Sequence, residues 1–404
     1  MSIVGGGIAG LTLAAALDPE RFEVTVYEAQ LERAGFGGAL TIWPDAQRAL
    51  RRVGAWDLAL GTGARADSAR TESARNQPHE ERAPHEQSTR HLPMALRDLR
   101  SGRPITAARP APFAIVPRPR LLAALRERVP QTVRFVEQEV TDPSGLSADL
   151  VIGADGVRSN VRALVHPASA ERRATPWVAL RGRRSSDGNS QLSPDAYGEY
   201  WGRAGLFGIV PVPGWGTYWF TSHRSTLGPE PLDVTEVLDE AREVFARSAP
   251  VVQETLADAG HDTSETTATR LWVTRALPRY VSGRYIVIGD AAHGMTPNLG
   301  HGACDAIVDA VTLAEAFARD HTDGHNSEPN HKPNHEPHDD RLLRWQATRV
   351  PATQLTKAMS GTVMRLALSG VHLTRDTTQG VAEVASRATL TLVRPSDEPT
   401  VRAA

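Results

Sequence analysis

Glycines near the start of the chain have the spacing of a phosphate-binding turn. Residues 5–10 read GGGIAG, between a short apolar run and an apolar helical pattern. In such a turn Gly5 permits a tight bend, Gly7 lets backbone amides approach a pyrophosphate, and Gly10 lets the helix lie close to the strands. Glu28 ends the next apolar run, where a carboxylate can accept hydrogen bonds from ribose hydroxyls. The pattern predicts a dinucleotide site; the alternative is a Gly-rich turn in an ordinary βαβ unit.

Two later loops also carry residues suited to binding a nucleotide. Asp155 ends the apolar run 150–154, and Asp290 ends the run 285–289. The carboxyl ends of parallel strands line the ligand crevice of an α/β sheet, so we expect both acidic residues near a ligand. The Gly-rich loop 300–302 precedes a long helical pattern that continues to Phe317. This arrangement directs a helix N-terminus at a negatively charged group.

The elements that position these loops alternate between strand and helix patterns. Residues 2–28 predict a strand, a turn, a helix and a strand, and a helix from Pro44 continues the nucleotide-binding unit. Further along, the patterns predict a hairpin at 94–106, a helix at 118–125 and a strand at 132–140. They then predict a single helix at 233–260 and a strand at 269–273.

Aromatic residues are concentrated between Trp177 and Phe220, which hold nine of the 22 in the chain. Short alternating runs in this segment predict an antiparallel sheet. An apolar, aromatic face suits a pocket for a flat organic molecule. The alternative is that aromatic residues lie here only because they favour strands.

Composition excludes several classes of protein. The 404 residues include 45 basic and 47 acidic ones, so no overall charge favours nucleic acid or an anionic membrane surface. No apolar run is long enough to span a bilayer, and the first strand pattern leaves no room for a signal peptide. Cys304 is the only cysteine, which rules out intramolecular disulfides and favours the cytoplasm. These features do not fix an oligomeric state.

A histidine-rich segment interrupts the pattern at residues 320–340. Five histidines lie among prolines and asparagines there, which is a composition typical of disorder. A metal site is the alternative, but the segment offers no preformed geometry. We therefore predict a disordered loop and no metal, followed by a helical region at 341–404 with a β-prone stretch at 389–393.

Three separated signatures together resemble the class A flavoprotein monooxygenases, the group that includes the para-hydroxybenzoate and salicylate hydroxylases. They are residues 5–10 with Glu28, Asp155-Gly156 with Ser159 and Arg162, and Gly289-Asp290 with Pro297 and residues 300–303. The resemblance runs from about residue 2 to 317, and Trp345 and Arg349 match an aromatic-arginine spacing usual after it. It implies an α/β fold in which a Rossmann-like FAD-binding domain is interleaved with a mainly antiparallel substrate-binding sheet, plus C-terminal helices.

On this basis we expect a discontinuous FAD-binding domain at 1–60, 110–175 and 270–319. The substrate-binding domain is expected at 61–109 and 176–269.

The resemblance implies a tightly but non-covalently bound FAD. Its pyrophosphate belongs at residues 5–10 and Asp290, and the amides of 300–303 belong beside the flavin N1 and C2 carbonyl. His293 is expected to be structural and not a base, and Asp155 to organise the strand end shared by the flavin and the nicotinamide nucleotide. The expected cofactor-binding residues are Gly5, Gly7, Ile8, Ala9, Gly10, Glu28, Arg33, Arg118, Val140, Asp155, Asp290, Gly300, His301, Gly302 and Ala303.

The implied reaction uses NADPH or NADH and O2, through a flavin C4a-hydroperoxide, to hydroxylate an aromatic or heteroaromatic small molecule. Epoxidation or Baeyer-Villiger oxidation on the same fold is an alternative; an NAD-linked dehydrogenase or a non-catalytic flavin-binding protein is an alternative of another class. The chain contains no second GxGxxG, which fits a family without a separate nicotinamide domain.

Two departures from the family pattern fall in or directly after residues 297–303, which the resemblance places beside the flavin and which we call the flavin loop. His301 stands where glutamine is usual, and we expect a tolerated substitution; the alternative is an imidazole that titrates beside the flavin. Cys304 stands where asparagine is common, and we expect a small buried residue; the alternative is a reactive thiol at a helix start. Arg181, followed by glycine, resembles a step on the substrate sheet of urate and salicylate hydroxylases. No catalytic base is identified. The expected substrate contacts are Arg181, Tyr200, Phe207 and Tyr218, with Pro297 and His301 in the flavin loop.

Overall fold

The computed structural model describes residues 1–31, 38–61, 93–106, 109–110, 113–184, 192–228, 231–260, 263–318 and 340–369. Its first sheet has six strands, of which five are parallel and one edge strand, at residues 281–282, is antiparallel. In sheet order they are β14 (Val281–Ser282), β15 (Tyr285–Val287), β8 (Val151–Gly153), β1 (Ser2–Val4), β2 (Thr25–Glu28) and β7 (Arg134–Glu137). The central strands are fully buried, as expected for a parallel sheet covered on both faces.

The second sheet has seven strands and is antiparallel except where β4 (Pro93–Asp98) runs parallel to β10 (Gly198–Gly202). In sheet order they are β13 (Thr266–Thr274), β9 (Arg172–Arg184), β12 (Gly216–Arg224), β11 (Gly205–Val212), β10 (Gly198–Gly202), β4 (Pro93–Asp98) and β5 (Arg109–Pro110). A separate antiparallel pair joins β3 (Ala39–Ile42) to β6 (Ala114–Pro117). A parallel sheet with an antiparallel sheet beside it confirms the predicted fold class.

Helices cover both sheets. In chain order they are α1 (Ile8–Ala16), α2 (Pro44–Arg52), α3 (Trp56–Leu60), α4 (Arg118–Arg128), α5 (Val161–Val165), α6 (Val234–Val244), α7 (Pro250–Asp258), α8 (Asp290–His293), α9 (Gly302–Ala318) and α10 (Asp340–Ser369). Small residues in α1 let it pack closely against α9, and both helices contribute to the core around β1, β8 and β15. The apolar faces of α6 and α7 pack on one face of the second sheet.

One local prediction is corrected and one is confirmed in part. The single helix expected at 233–260 is two helices, because Pro250 starts α7 and the preceding Ala249 is extended. The hairpin expected at 94–106 is present as a short turn: Gly102 forms the bend with φ +69°, the Asp98 N–H donates to the Arg103 carbonyl at 2.9 Å, and Pro104 makes an isolated antiparallel bridge to Arg97. Residues 103–106 add no strand to the sheet, in which β4 pairs with β10 and β5.

The strands of the second sheet come from residues 93–110 and 172–274. β9 and β13 therefore extend a few residues beyond the expected boundaries at 176 and 269. Helix α10 confirms the helical prediction after residue 341 as far as Ser369. Arg33, residues 320–339 and the β-prone stretch 389–393 lie outside the described residues. Within the described ranges, no helix has the length and apolar character needed to cross a bilayer.

Candidate functional site

The three predicted loops meet at the carboxyl edge of the first sheet. A Cβ atom placed on Gly5 would lie 2.3 Å from the Ala154 carbonyl oxygen, so the first turn touches the end of β8. A Cβ on Gly289 would lie 3.0 Å from the Cβ of Ala9 and 3.1 Å from that of Ala306, so the loop after β15 touches α1 and α9. Residues distant in sequence thus form one site, as their positions after parallel strands predict.

The glycine turn has the conformation that the spacing predicts. Gly5 has φ +103°, which favours glycine, and its N–H donates to the Tyr27 carbonyl at 2.8 Å. A Cβ on Gly10 would lie 1.9 Å from the Gly5 carbonyl oxygen, so only glycine allows α1 to start this close to the turn. Glu28 fixes the turn directly, since its Oε2 accepts from the Gly6 N–H at 2.7 Å and its Oε1 from the Gln30 N–H at 3.1 Å.

Space for a ligand lies beside this turn. A Cβ on Gly7, the residue before α1, or on Gly156, after β8, would meet no other atom within 4 Å. The turn is therefore tight on the sheet side, at Gly5 and Gly10, and open at Gly7, where amides at the start of a helix can face phosphate oxygens. These residues fit the pyrophosphate of a dinucleotide.

Asp155 holds the loop after β8. Its Oδ2 accepts from the N–H groups of Asn160 at 2.8 Å and Val161 at 3.3 Å. Within the described part of the chain its Oδ1 is buried without a hydrogen-bond partner, and burial raises the pKa of this carboxyl group. An unsatisfied buried oxygen beside an open glycine also fits a site completed by a ligand.

Arg162 joins two of the predicted loops through a fully buried guanidinium group. Its Nη1 donates to the carbonyls of Ala291 at 2.7 Å and Ala292 at 2.9 Å, in α8. Its Nε donates to the Ser169 carbonyl at 2.7 Å, and its Nη2 donates to the Arg275 carbonyl. Burial lowers the pKa of Arg162 to about 10, so the group stays charged near neutral pH.

Helix α8 presents Asp290 at its exposed first residue. Gly289 precedes it with φ +60°, and the Asp290 carboxylate lies close to the start of α9, 3.8 Å from where a Cβ on Gly302 would lie. At the other end of α8, His293 is fully buried and its Nε2 is 2.7 Å from Asp309 Oδ2. Burial alone would lower the pKa of His293, but the carboxylates around it raise it. These contacts agree with the expected structural role of His293.

Trp43, which the sequence analysis did not select, organises the flavin loop. Its ring stacks on His301 with centroids 4.9 Å apart, and its Nε1 donates to the Leu299 carbonyl at 3.2 Å. Gly300 adopts φ +63° against the side chain of Thr41, and Pro297 is exposed on the loop. Burial lowers the pKa of His301, so the imidazole is neutral at pH 7. Asp305 nearby acts in the opposite direction.

Cys304 is a small buried residue, in agreement with the expectation. Its Sγ donates to the Thr41 carbonyl at 3.2 Å and accepts from the Trp43 N–H at 3.4 Å. Burial, followed by the effect of Asp45, raises the pKa of the thiol well above its ordinary value. A helix N-terminus therefore does not make this thiol reactive.

We expect Cys304 to be inert in the folded protein because it is inaccessible and its thiol stays protonated. Treatment with a chromogenic disulfide reagent at pH 8 should release less than about 0.1 equivalent of chromophore in an hour. The same protein in denaturant should release one equivalent, since this is the only cysteine. Stoichiometric release from the native protein within minutes would contradict the buried placement.

Arg181 and Tyr218 lie together on one face of the second sheet, next to the β3 strand. A Cβ on Gly38 would lie 3.1 Å from the Tyr218 hydroxyl oxygen and 3.4 Å from Arg181 Cδ. Arg181 Nη1 donates to Thr269 Oγ1 at 2.7 Å. Burial raises the pKa of Tyr218, and the Arg181 guanidinium acts against that rise. The phenol is therefore protonated and available as a hydrogen-bond donor at neutral pH.

The β3 strand connects this pair to the flavin loop. Gly38, just before β3, touches Arg181 and Tyr218, while Thr41, three residues later, touches Gly300. At about 3.3 Å per residue, the two contacts are roughly 10 Å apart along the strand. Arg181 and Tyr218 are thus placed to face a small molecule beside the loop.

Tyr200 and Phe207 do not belong to this face. They are cross-strand partners, and they pack with Trp219 in the core formed with α6 and α7. The expectation that they contact substrate is therefore corrected. Successive residues of a strand alternate between faces, so Tyr218 and Trp219 point in opposite directions. Phe220, with its ring 5.5 Å from that of Tyr218, is the aromatic residue that joins the Arg181 face.

The remaining expected cofactor contacts stay predictions. The Val140 carbonyl accepts from Asn160 Nδ2 at 3.0 Å, which ties it to the loop after β8. Arg118 is exposed at the start of α4, and its N–H donates to the Gly38 carbonyl at 2.9 Å. In the portion of the chain that the structure describes, no three His, Cys, Asp or Glu side chains are grouped as metal ligands.

The fold and the site define a dinucleotide-binding protein with a second, antiparallel sheet beside the nucleotide edge. The family model described as FAD binding domain matches residues 1–331. The chain belongs to this family and is an FAD-dependent monooxygenase of class A, as its three signatures predicted.

Characterised relatives agree with this assignment. An aurachin C monooxygenase/isomerase of Stigmatella aurantiaca is 28% identical over 336 residues, with 78% of this chain and 80% of that protein covered. An FAD-dependent urate hydroxylase of Klebsiella pneumoniae is 28% identical over 342 residues, with 78% and 80% covered. A 3-amino-4-hydroxybenzoate 2-monooxygenase of Streptomyces cremeus is 30% identical over 330 residues, with 78% and 77% covered.

Solved structures share the fold over nearly the whole chain. Klebsiella pneumoniae HpxO complexed with FAD and uric acid matches with a TM-score of 0.71 at 22% identity, covering 97% of this chain and 96% of that one. A salicylate hydroxylase substrate complex matches with a TM-score of 0.67 at 22% identity, covering 97% and 94%.

Proposed function

We propose that the protein hydroxylates a small aromatic or heteroaromatic molecule with FAD, O2 and NADPH or NADH. The observation that carries this proposal is the placement of Arg181 and Tyr218 on one end of β3 and of the flavin loop on the other. Bound FAD, once reduced by NADPH or NADH, would react with O2 and supply the transfer of one oxygen atom, with the other released as water. The absence of possible disulfides makes the cytoplasm the proposed compartment.

The residues that would hold FAD divide the cofactor among the three loops. The open amides at Gly7 would receive the pyrophosphate, with Asp290 beside it and Glu28 near the adenosine ribose. The start of α9, at Gly302 and Ala303, would direct its amides at the flavin and stabilise negative charge on the ring. Because Trp43 stacks on His301, this loop is held before the cofactor binds.

The substrate would lie against Arg181, Tyr218 and Phe220. A guanidinium and a protonated phenol on the same face can bind a carboxylate, a phenolate or a ring carbonyl, while Phe220 offers an apolar surface for the ring. Aromatic residues and the sheet behind them would exclude water from the reacting atoms. This combination supports the aromatic class and would suit compounds like urate and 3-amino-4-hydroxybenzoate, after which two of the relatives are named.

The test is a screen of small hydroxylated and carboxylated aromatics for substrate-stimulated oxidation of NADPH and NADH, with product masses measured. We expect one compound class to stimulate oxidation and to gain one oxygen atom. A protein that binds FAD but whose flavin neither coenzyme reduces with any aromatic compound would contradict the proposal.

With the substrate in hand, Arg181→Gln should raise KM by about 10- to 100-fold, because a charged hydrogen bond to the substrate is lost. We expect kcat to change by less than about threefold, since Arg181 binds substrate without moving protons in this proposal. Arg203→Gln, an exposed substitution in the turn between β10 and β11, is the matched control and should leave KM unchanged. An unchanged KM in Arg181→Gln would remove this residue from the proposed site.

A further inference from the structure

Helix α10 inserts one arginine between two buried carboxylates of α9. Arg349 Nε donates to Asp309 Oδ1 at 2.7 Å, and its Nη2 lies 3.3 Å from Asp305 Oδ1. The two acidic residues are four apart and so share a helix face. All three side chains are nearly inaccessible: 11% exposed for Arg349, 9% for Asp305 and none for Asp309.

Both acidic residues connect to loops of the candidate cofactor site, Asp309 through its carboxylate and Asp305 through its backbone. Asp309 Oδ2 accepts from the Gly289 N–H at 3.0 Å and from His293 Nε2 at 2.7 Å, at the two ends of α8. Asp305 lies at the start of α9, where its N–H donates to the His301 carbonyl at 2.8 Å. The Arg349 guanidinium thus binds the same carboxylate, that of Asp309, which accepts from the Gly289 N–H. Gly289 in turn precedes the exposed Asp290.

The ion pairs of this cluster centre on Asp309, whereas burial raises the pKa of Asp305. Burial favours neutral forms, but Arg349 and His293 lower the pKa of Asp309, and the Asp309 carboxylate raises the pKa of both partners. A charged Asp309 with both oxygens engaged is held in one orientation, which fixes the direction of the Gly289 N–H bond. Gly289 has φ +60°, and a Cβ there would lie 3.0 Å from the Cβ of Ala9, so the backbone of this turn fits closely against α1. The bond from the Gly289 N–H to Asp309 therefore helps to set where Asp290 lies.

We propose that Arg349 is a positioning residue for the cofactor, acting through Asp309 on the Gly289-Asp290 turn. This inference rests on the proposed binding of FAD. It makes the C-terminal helix part of the nucleotide site although no residue of that helix lies in the three sequence signatures. Helix α10 is also attached independently, since Trp345 Nε1 donates to Thr312 Oγ1 at 3.0 Å and Gln354 Nε2 donates to the Tyr280 hydroxyl at 2.8 Å.

The test compares Arg349→Lys with Arg344→Lys, an exposed substitution on the same helix. Lysine keeps the charge but replaces the planar fork with a single point charge, so it cannot hold both carboxylates in one geometry. Titration of apo-protein with FAD, followed by flavin fluorescence, should show a Kd about 10- to 100-fold higher for Arg349→Lys and unchanged for Arg344→Lys. Circular dichroism of both apo-proteins should match the wild type.

Double mutants distinguish a positioning role of Arg349 through Asp309 from a general contribution of Arg349 to stability. The effect of Arg349→Lys on the FAD Kd should disappear in an Asp309→Asn background and persist in an Asp305→Asn background. Equal FAD affinity in wild type and Arg349→Lys would overturn the inference, as would an unfolded Arg349→Lys apo-protein or equal coupling to both acids. A wild-type protein that binds no FAD would instead overturn the proposed function, so the two failures are distinguishable.

Discussion

Gly7→Val should abolish most FAD binding while leaving the protein folded. A Cβ at this position meets no protein atom within 4 Å, and the backbone there has φ −79° and ψ −166°, which valine adopts readily. The branched side chain would occupy the space where backbone amides can approach a pyrophosphate. We expect the FAD Kd to rise at least about 100-fold, which corresponds to roughly 2.8 kcal/mol.

The measurement is a titration of apo-protein with FAD, together with a thermal melt of the apo-protein. Gly145→Val is the matched control: its Cβ also meets nothing within 4 Å, and it lies on an exposed turn outside the three loops. The control should bind FAD as the wild type does. Wild-type affinity in Gly7→Val would show that the open space beside the glycine turn does not hold the cofactor.

Arg162→Met should strongly destabilise the fold. The substitution removes donors to four carbonyls around a fully buried position: those of Ser169, Arg275 and two residues of α8. Methionine has a similar length but cannot satisfy these oxygens, so the cost includes their lost hydrogen bonds and desolvation. We expect the free energy of unfolding to fall by roughly 3 to 5 kcal/mol, as for removal of other buried charged groups.

Chemical denaturation of the apo-proteins measures this change. Arg134→Met, an exposed substitution on β7, is the control and should change the free energy of unfolding by less than about 0.5 kcal/mol. If Arg162→Met unfolds with the same midpoint as the control, the four hydrogen bonds contribute nothing to stability.

Local spacing was enough to predict the nucleotide-binding elements. Gly5 and Asp290 come just after buried strands, and Gly10 lies in the first turn of the helix that follows Gly5. Their roles depend on backbone geometry within a few residues, so a short stretch of sequence contains the signal. The glycine conformations and the convergence of the loops agree with this prediction.

Side-chain partners across long sequence separations could not be predicted in the same way. Trp43 reaches His301 only because β3 lies beside the flavin loop, and a single tryptophan carries no pattern that indicates such a contact. Arg162 was placed in a motif, but its partners in α8 are about 130 residues away. Tyr200 and Phe207 were assigned to the wrong face because strand register, which decides the face, was not known.

The order of strands in the first sheet constrains how the protein forms during synthesis. Strand β1 lies between β2, close to it in sequence, and β8, whereas β15 and the arginine of α10 come some 280 to 350 residues after the N-terminus. At roughly 5–20 residues per second, a ribosome needs tens of seconds to deliver these last pieces after the glycine turn has emerged. We therefore expect newly made chains to acquire their flavin only after β15 and α8 have left the ribosome. Until then the unfinished apolar sheet is exposed to aggregation, which should limit the yield of recombinant protein.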